Sequence, residues 1–411
     1  MKANWNSRRR QRVMYTPSQS DLLSLFIQLP ILRLRLAGVE EDIMPDEPSP
    51  DVEQREPLHT RDKFSHRGAW TLQRYAWISR HTERLAFFYW GILLLCVGAA
   101  VYFSGILLSL VRLTFFFHNQ QFREWNSAIL WYSGLPVTAA VLLIAADLLL
   151  IFPAKRKGAR RLEVDTDLTS KATVALTCYN DELSVRQAVT DFLEHPRVKR
   201  VIVVDNNSKD GSAAAARESG AVVVTETVPG YGSCVYRCLQ EALQYEDTDY
   251  VVLCEGDSTF RARDIHKLFA FIAHADVVNG TRIVEQLRDE TTQLTTFMYY
   301  GNFFVGKLLE VKHLGKGTFT DVGTTYKMIR RKALAELLPH VDRRVNLEFN
   351  AHFMDTVLRR RMIMVECPIT FHRRVGTSKG GNVNSWRALA VGLRMILGLT
   401  FGWRIVSRIA P

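Results

Sequence analysis

The chain has 411 residues, of which 47% are hydrophobic and 23% charged, and its formal net charge is +11. This length and composition suit one globular catalytic domain with added membrane-associated elements. The basic residues cluster beside apolar segments and no nucleic-acid motif is present, so the excess charge argues against nucleic acid and favours membrane lipids or phosphorylated substrates as partners. The six cysteines form no C-x-x-C pair, as expected for reduced thiols in a domain that faces the cytoplasm.

Residues 1–68 are predicted to carry no fold of their own. The basic run Arg8–Arg10 precedes an apolar stretch that Pro30 interrupts, and an acidic, proline-containing segment follows. The apolar stretch is broken and lacks a small-residue cleavage site, so we do not expect a secretory signal peptide here. We predict a basic arm that binds the membrane surface, followed by a disordered linker. A start codon placed too early would explain the same pattern.

Residues 69–161 are predicted to form a membrane hairpin. Two apolar runs give transmembrane helices at about 86–110 and 128–152, each long enough to cross a hydrocarbon core of roughly 30 Å. The tip of the hairpin carries only Arg123, whereas both outer flanks are rich in arginine and lysine, so the flanks and everything after the hairpin are placed on the cytoplasmic side. Asp147 lies close to the basic flank and is expected to snorkel toward it rather than act as a functional intramembrane acid.

From residue 171 the pattern changes to short apolar strands that alternate with helices. The segments ATVALTCYN, VKRVIVVDNNS, AVVVTE and DYVVLCEGD are nearly continuous in valine and isoleucine where they are apolar, which indicates an α/β domain with a mainly parallel sheet buried on both faces. Functional residues of such sheets lie at the carboxyl ends of the strands. Three of these ends are polar and acidic: Tyr179, Asn180, Asp181 and Glu182; Asp205, Asn206, Asn207 and Ser208; Glu255, Gly256 and Asp257.

The third strand end has the chemistry of a divalent-cation site. Glu255 and Asp257 supply two carboxylates on either side of Gly256, whose missing side chain lets the backbone approach a diphosphate. Transfer from a nucleotide diphosphate sugar requires a cation on the pyrophosphate and stabilisation of the negative charge that builds on the leaving nucleotide. We therefore predict that Asp257 and Glu255 bind Mg²⁺ or Mn²⁺.

Four segments around these strand ends resemble glycosyltransferase family 2, the inverting enzymes of the GT-A fold. They are TCYNDE, VIVVDNNSKDGS, VPGYGSCVYRCL and CEGDSTF, and the whole resemblance covers about Thr173–Lys379. It implies that the first segment holds the nucleotide base, through Tyr179 with Glu182 or Asp181, and that the last segment takes the place of the family's D-x-D motif. The nucleotide-sugar site implied in this way consists of Tyr179, Asp181, Glu182, Asp205, Asn207, Gly232, Glu255, Gly256, Asp257 and Arg282.

Later segments are similar to the branch of this family that glycosylates lipid phosphates, the dolichol-phosphate mannose synthases and polyprenyl-phosphate glycosyltransferases. NGTR, DVGTTYK, NLE and RRVGTSK carry this resemblance. It implies two further sets of residues, an acceptor-phosphate site of Arg282, Arg373, Ser378 and Lys379, and a catalytic set of Asp257, Asp321, Glu348 and Arg373. The basic segment Lys307–Lys316 is expected to be a flexible loop that closes over the site.

The predicted architecture is a GT-A domain at 162–384 followed by an amphipathic helix at 385–411. Four arginines fall on one side of this last helix, so we expect it to lie in the membrane interface with Trp386 and Trp403 as anchors.

The predicted function is transfer of a sugar from GDP-mannose or a UDP-hexose to a polyprenyl or dolichyl phosphate at the cytoplasmic face of the membrane. A lipid phosphate is itself an anionic nucleophile, so it needs cationic positioning rather than a strong base. Two alternatives remain open. One is a glycosyltransferase that uses a hydroxyl acceptor with Glu348 as general base; the other is an inactive membrane scaffold with the same fold. A homo-oligomer is also left open.

Overall fold

The computed structural model of the protein describes residues 86–152, 169–376 and 385–409. The predicted arm and linker at 1–68 lie outside the described residues, as do Ser378 and Lys379. Two long apolar segments open the described part, a seven-stranded sheet with helices on both faces follows, and two helices close it.

The first part is a helical hairpin. Helix α1 spans Phe87–Phe115, α2 spans Gln120–Tyr132 and α3 spans Gly134–Ala146, and a π-helical turn at Asp147–Ile151 continues α3. The predicted connection HNQQFREWN is largely helical, because the side chain of Asn119 accepts a hydrogen bond from the backbone N–H of Phe122 (2.9 Å) and so caps α2.

Both long segments could cross a membrane by length and composition. Residues 87–115 and 120–151 each reach a mean hydropathy of 2.3, and only 17% of the residues in the most apolar stretch of either segment are buried. A core helix of a water-soluble protein would bury most of such a stretch, whereas these two present their apolar side chains to the surroundings. The predicted pair of long apolar helices is confirmed.

Glycine spacing explains why the two long segments pack closely. Gly91, Gly98 and Gly105 recur every seven residues on the buried side of α1. A Cβ added at Gly98 would come within 2.8 Å of Val137 Cγ2. Small residues at such spacing let helix backbones approach each other, as in membrane helix pairs.

Asp147 joins the two long segments. The basic flank toward which it is expected to snorkel lies outside the described residues. Its side chain is fully buried, and Oδ2 accepts a hydrogen bond from the backbone N–H of Phe88 (2.8 Å), which is one of the N–H groups that the first turn of α1 leaves without an intrahelical partner. The carboxylate therefore joins the end of the second long segment to the start of the first.

The central sheet has the strand order β3-β2-β1-β4-β6-β5-β7. Its strands are β1 (Ala172–Cys178), β2 (Val198–Asp205), β3 (Val222–Thr225), β4 (Tyr250–Glu255), β5 (Val277–Thr281), β6 (Lys327–Arg330) and β7 (Met364–Pro368). Only β6 runs antiparallel to its neighbours, and all seven residues of β1 are buried. The mainly parallel α/β sheet predicted from the valine-rich segments is confirmed.

Helices cover both faces of the sheet. They are α4 (Glu182–Leu193), α5 (Ser212–Glu218), α6 (Tyr231–Leu243), α7 (Ile265–Ile272), α8 (Thr296–Lys312), α9 (Arg331–Leu337) and α10 (Phe349–Arg359). One core cluster joins the sheet to α4, α5 and α7, and the other joins it to α6, α8, α9 and α10. Lys307–Lys312 belongs to α8, so the loop predicted at Lys307–Lys316 is helical over more than half of its length.

The last segment is also helical but not continuous. Helix α11 spans Ser385–Phe401 and α12 spans Trp403–Ile409, and Gly402 separates them with a φ of +103°, which favours glycine. Trp386 is 80% exposed, but Trp403 is only 5% exposed and its indole N–H donates to Asp355 Oδ2 (2.8 Å). The prediction that Trp403 anchors a membrane surface is therefore wrong.

The hairpin is fixed against the second core cluster. Tyr89 of α1 is buried there, and its hydroxyl forms a 2.7 Å hydrogen bond with Thr400 Oγ1 of α11. The ring of the neighbouring Trp90 contacts that of Phe401, with 6.2 Å between the centroids. The start of the first long apolar helix thus lies beside the bend between α11 and α12.

Candidate active site

The three acidic strand ends meet at one edge of the sheet. In the parallel register Cys178 pairs with Asp205 and Thr177 pairs with Glu255, so β1, β2 and β4 end side by side. Parallel strands place their carboxyl ends together, which is why segments far apart in the sequence contribute to one cluster. Four carboxylates belong to this cluster: Asp181, Asp205, Glu255 and Asp257. We call it the strand-end cleft.

An arginine bridges two of these acids. Arg374 Nη2 lies 2.8 Å from Asp181 Oδ1, and Arg374 Nη1 lies 3.2 Å from Asp257 Oδ2. Sequence reasoning placed the neighbouring Arg373 in the catalytic and acceptor sets. Its side chain is exposed, and its backbone N–H donates to Asp289 Oδ2 (3.0 Å). Both arginines stand in the same R-R-V-G motif, and the motif alone does not reveal which of them turns inward.

Glu255 and Asp257 are held in place by hydroxyl groups. Thr325 Oγ1 donates to Glu255 Oε1 (2.6 Å), and Thr259 donates to Asp257 Oδ1 through both its hydroxyl (2.6 Å) and its backbone N–H (3.1 Å). Burial and, after it, the charge of Asp257 raise the pKa of Glu255 to about 7. The negative charges of Glu255 and Asp257 repel each other, so binding of a cation by both carboxylates would be favourable.

The donor set fits a divalent cation that takes its remaining ligands from a nucleotide. Among the residues that the structure describes, no group of three or more His, Cys, Asp or Glu is arranged to hold a metal alone. Mg²⁺ commonly uses one or two carboxylates together with phosphate oxygens and water. Glu255 and Asp257 can supply those carboxylates, and Arg374 balances the charge of Asp257 from the other side.

A hydrogen-bonded network lies beneath Glu255. Tyr231 and Thr325 are joined through their hydroxyls, Asn350 Nδ2 donates to the Tyr231 hydroxyl (2.9 Å), and the amine of the buried Lys327 lies 3.4 Å from Asn350 Oδ1. Burial lowers the pKa of Lys327 to about 7. Sequence reasoning missed Tyr231, Thr325 and Asn350 as supports of the cleft. The signals available for them were the position of Tyr231 beside Gly232 in the VPGYGS segment and that of Thr325 in the DVGTTYK segment.

Arg282 and Asp321, predicted for phosphate binding and catalysis, form a buried pair. Arg282 donates from Nε to Oδ2 (2.7 Å) and from Nη2 to Oδ1 (2.9 Å), and the backbone N–H groups of Arg282 and Gly323 also donate to this carboxylate (both 3.0 Å). Burial alone would raise the pKa of Asp321, but the Arg282 charge and these hydrogen bonds lower it. Asp321 is thus fully occupied in orienting Arg282 within the part of the chain described.

Two of the residues predicted to hold the nucleotide, Asp181 and Glu182, line a cavity of about 400 Å³ at the end of β1. Asn180, Asp181 and Glu182 line it, together with Asp210 and with Val375 and Gly376, which follow Arg374 in the chain. Glu182 Oε2 accepts a hydrogen bond from the backbone N–H of Gly211 (3.0 Å). The ring of Tyr179, just before this lining, is partly exposed.

The strand end of β2 lies next to this cavity. Asp205 Oδ2 accepts a hydrogen bond from the backbone N–H of Ser208 (3.2 Å), and Asp205 Oδ1 is a buried atom with no hydrogen-bond partner among the described residues. Asn207 is exposed and has a φ of +61°. The free oxygen of Asp205 is available to an incoming donor group.

Gly232 has a packing role in the structure. A Cβ at this position would clash with the backbone carbonyl of Val345, so the start of α6 can approach the 343–346 loop only with glycine here. The side-chain oxygen of Asn346 then accepts a hydrogen bond from the backbone N–H of Tyr231 (2.8 Å) and caps α6.

Glu348 is separated from solvent. Its side chain is fully buried at the start of α10, and Oε1 accepts a hydrogen bond from Arg394 Nε of α11 (2.5 Å). Oε2 is buried without a hydrogen-bond partner among the described residues. The structure therefore gathers Asp181, Asp205, Glu255 and Asp257 in the cleft, while Glu348 contacts the C-terminal helix and Arg373 faces outward.

Comparison with known proteins agrees with this arrangement. Residues 173–338, which include the ends of β1, β2 and β4, match the model of glycosyl transferase family 2. Residues 173–338 belong to glycosyltransferase family 2. The predicted family and its α/β, GT-A-type fold after two long apolar helices are confirmed.

Two curated relatives illustrate the similarity of this family 2 segment to known proteins. An uncharacterised glycosyltransferase of Mycobacterium tuberculosis is 39% identical over 111 residues, which is 27% of this chain and 48% of the relative. The dolichyl-phosphate hexose transferase of Haloferax volcanii is 26% identical over 207 residues, 50% of this chain and 85% of that protein. The chain thus spans about half the length of the first of these relatives.

Solved structures resemble the family 2 domain at low sequence identity. The glucosyl-3-phosphoglycerate synthase of Mycobacterium tuberculosis, in complex with Mn²⁺, uridine diphosphate and glucosyl-3-phosphoglycerate, is 15% identical. The match has a TM-score of 0.41 and covers 56% of this chain and 80% of that one.

Proposed function

We propose that the protein transfers a hexose from a nucleotide diphosphate sugar to a lipid phosphate at a membrane surface. The observation that carries the proposal is the strand-end cleft, in which Arg374 bridges Asp181 and Asp257, and Glu255 lies at the end of the neighbouring part of β4. The family match over 173–338 supports a glycosyltransferase.

The donor is assigned to the cavity at the end of β1. The nucleotide base of the donor would stack on the partly exposed Tyr179 and bind the acids of the first strand end. The ribose of the donor would bind the free oxygen of Asp205. The diphosphate would then extend toward Glu255 and Asp257. A divalent cation held by these two carboxylates would neutralise the diphosphate as it leaves.

The acceptor is assigned to a lipid phosphate for two reasons. The Haloferax volcanii relative is named as a dolichyl-phosphate hexose transferase. Helix α8 exposes Phe297, Tyr300 and Phe304 along one side, with Tyr300 64% exposed, and the same helix contacts α1 and α11. An exposed aromatic face beside the membrane-length helix α1 suits an interface with lipid.

The chemistry needs no base on the protein. One anionic oxygen of the lipid phosphate attacks the anomeric carbon of the sugar, the bond from that carbon to the donor's phosphate oxygen breaks, and the nucleoside diphosphate departs with the electron pair. The protein's part is to hold the two reactants in line and to balance negative charge with Arg374, Arg282 and Arg373. The sequence-based orientation of the hairpin places this reaction on the cytoplasmic side.

A hydroxyl acceptor would require a general base, and Glu348 is poorly suited to that task. It is fully buried and its charge is balanced by Arg394. A base must lie within hydrogen-bond reach of the proton that it removes. The burial of Glu348 therefore favours an acceptor that is already ionised.

The direct test is sugar transfer by the full-length protein in detergent. The protein is incubated with radiolabelled UDP-glucose, UDP-galactose or GDP-mannose, with Mn²⁺ or Mg²⁺ and a polyprenyl phosphate, and radioactivity is counted in the organic phase. We expect one donor to label the lipid, and chelation of the cation to abolish labelling. Metal-dependent nucleotide binding without transfer to lipid phosphate would overturn the acceptor assignment, and no nucleotide binding would indicate an inactive scaffold.

A further inference from the structure

A second cavity, of about 960 Å³, lies away from the strand-end cleft. It is formed by the loop at 339–344, the C-terminal half of α10 and the bend between α11 and α12. Among the described residues its charged lining is almost entirely basic: Arg343, Arg344, Arg359, Arg360 and Arg404 are opposed by one acid, Asp342. We call it the arginine cavity.

The charges of this cavity are available to a ligand. Arg343 and Arg404 are exposed and have no ion pair within the described ranges. Arg360 lies 3.4 Å from the exposed Glu336, and such a surface pair contributes little. Arg359 lies 3.8 Å from the buried Asp355, whose closer partners are Lys312 (2.8 Å) and His313 (2.7 Å). Of the five arginines, Arg344 alone has a close acidic partner among the residues described, namely Asp342 at 2.8 Å. The cavity therefore carries an excess of positive charge that its own walls do not neutralise.

The position of the cavity relates it to the hairpin. Phe401, Gly402 and Trp403 form one wall, and the ring of Phe401 contacts Trp90 near the start of the first long apolar helix. Tryptophan at the end of a membrane-length helix is typical of the headgroup level. If the helix spans a bilayer, the mouth of the cavity therefore lies where lipid phosphates are concentrated.

The arginine cavity is separate from the proposed transfer site. It shares no lining residue with the cavity at the end of β1, and its sign of charge is opposite to that of the acidic strand ends. A donor nucleotide held through a cation needs carboxylates, whereas a free phosphate group needs guanidinium groups.

We propose that the arginine cavity binds a phosphate-bearing anion, and that in the membrane this anion is the headgroup of an anionic phospholipid. Arginine binds phosphate oxygens through two parallel N–H donors, and its binding is strengthened where solvent is partly excluded. Arg343 and Arg404 enter the cavity from separate segments, the loop before α10 and helix α12. A headgroup between them would hold the catalytic domain against the membrane. This role is independent of the sugar-transfer reaction.

The test measures binding of short-chain lipids to the full-length protein in a neutral detergent by calorimetry. The double variant Arg343→Gln, Arg404→Gln removes the two unpaired charges. We expect dihexanoyl phosphatidylglycerol to bind the wild type saturably and the double variant at least about tenfold more weakly, because two charge-assisted contacts are lost. Dihexanoyl phosphatidylcholine, which has no net charge, should bind weakly to both.

The matched control is Lys171→Gln, Arg217→Gln, which removes two exposed charges before β1 and on α5. It should bind the anionic lipid as the wild type does. Equal affinity of wild type and double variant for phosphatidylglycerol would overturn the proposal, and inorganic phosphate binding as tightly as the lipid would overturn the assignment to a headgroup.

Two further measurements keep the test sensitive. The variant Arg343→Lys, Arg404→Lys retains charge without the planar guanidinium, and we expect it to recover only part of the affinity. Sugar transfer to a soluble short-chain lipid phosphate should be unchanged in the double variant, which shows that the protein is folded. If transfer falls in parallel with phosphatidylglycerol binding, the cavity belongs to the acceptor site instead and the proposal of a separate site is wrong.

Discussion

Arginine side chains have different surroundings in the strand-end cleft and in the arginine cavity. In the cleft, Arg282 and Arg374 are mostly buried and each is bonded to a carboxylate of the protein. Around the cavity the arginines are exposed, and Arg343 and Arg404 have no ion pair among the residues described. The comparison separates arginines that fix the architecture of a site from arginines that remain free for a ligand.

Two Arg–Asp pairs make the contrast quantitative. Both are bidentate, with nearly the same distances: 2.7 and 2.9 Å for Arg282–Asp321, and 2.9 and 2.8 Å for Arg344–Asp342. The side chains of the first pair are 10% and 0% exposed, and those of the second are 66% and 22% exposed. The two pairs therefore have nearly the same hydrogen-bond geometry and differ in burial. If breaking them changes the stability of the protein by different amounts, the difference is due to burial and not to hydrogen-bond geometry.

The largest expected effect is on the buried pair. Asp321→Asn leaves the Arg282 guanidinium charged, buried and unpaired, which costs about 3–5 kcal/mol of unfolding free energy. Asp342→Asn is the matched control and should cost about 1 kcal/mol or less, because water can solvate Arg344. The measurement is urea denaturation of the full-length protein in detergent. Equal losses for the two variants would show that burial does not distinguish these pairs.

The next effect is on the chemistry of the cleft. Asp257→Asn should lower the rate of sugar transfer about 10²–10³-fold, because it removes a carboxylate from the place where the diphosphate is neutralised. Asp247→Asn is the control, since Asp247 precedes β4 at the opposite edge of the sheet and pairs with Lys199 on the surface. Initial rates at saturating donor check this prediction. A loss smaller than tenfold would remove Asp257 from the proposed cation site.

The third effect concerns pH and a histidine at the floor of the arginine cavity. Burial lowers the pKa of His352 to about 4, and its Nε2 accepts a hydrogen bond from the backbone N–H of Asp342 (2.8 Å), which requires the neutral ring. The unfolded chain, with a pKa of about 6.5, binds the proton more readily. Stability due to His352 is therefore present above pH 6.5 and is lost as the pH falls to about 4.

The size of this loss follows from the shift in pKa. A difference of about 2.5 units corresponds to about 3 kcal/mol. The variant His352→Gln keeps an acceptor for Asp342 but does not titrate, so the difference between wild type and variant isolates the histidine from the many carboxylates that also titrate. Thermal melting at about pH 7 and about pH 4.5 measures it. A constant difference between the two proteins across this range would contradict the assignment.

These two regions also differ in how far the sequence predicts them. The acids of the cleft follow apolar strands, and parallel strands end at one edge of a sheet, so the gathering of Asp205, Glu255 and Asp257 could be inferred from strand order. The choice of Arg374 over Arg373 could not, because adjacent residues in a loop turn to opposite sides for reasons that depend on the fold. Tyr231, Thr325 and Asn350 come from three distant segments. Tyr231 and Thr325 stand in the VPGYGSCVYRCL and DVGTTYK segments, but those segments do not reveal that the two hydroxyl groups meet in the fold.

The arginine cavity could not be predicted at all. Its arginines come from the 339–344 loop, α10 and α12, which approach one another only after the chain has folded. The sequence showed Arg404 on one side of a C-terminal helix and favoured a continuous interfacial helix there. Gly402, with its positive φ, instead bends that helix and turns Trp403 into the core, and this bend creates a wall of the cavity. A single glycine in an apolar segment is not enough to predict such a bend.

The smallest expected effect is the stability change caused by removing a free arginine from the cavity. Arg343→Gln should alter the unfolding free energy by no more than about 0.5 kcal/mol, because an exposed side chain without an ion pair contributes little to folding. The same substitution combined with Arg404→Gln is expected to weaken binding of the anionic lipid. Lipid affinity should therefore fall while the unfolding free energy stays nearly constant. A loss above about 1 kcal/mol in urea denaturation would mean that Arg343 has an internal partner. Arg343 would then stabilise the fold through a pair within the protein, as Arg282 does. The distinction between paired arginines in the cleft and free arginines in the cavity would not hold for this residue.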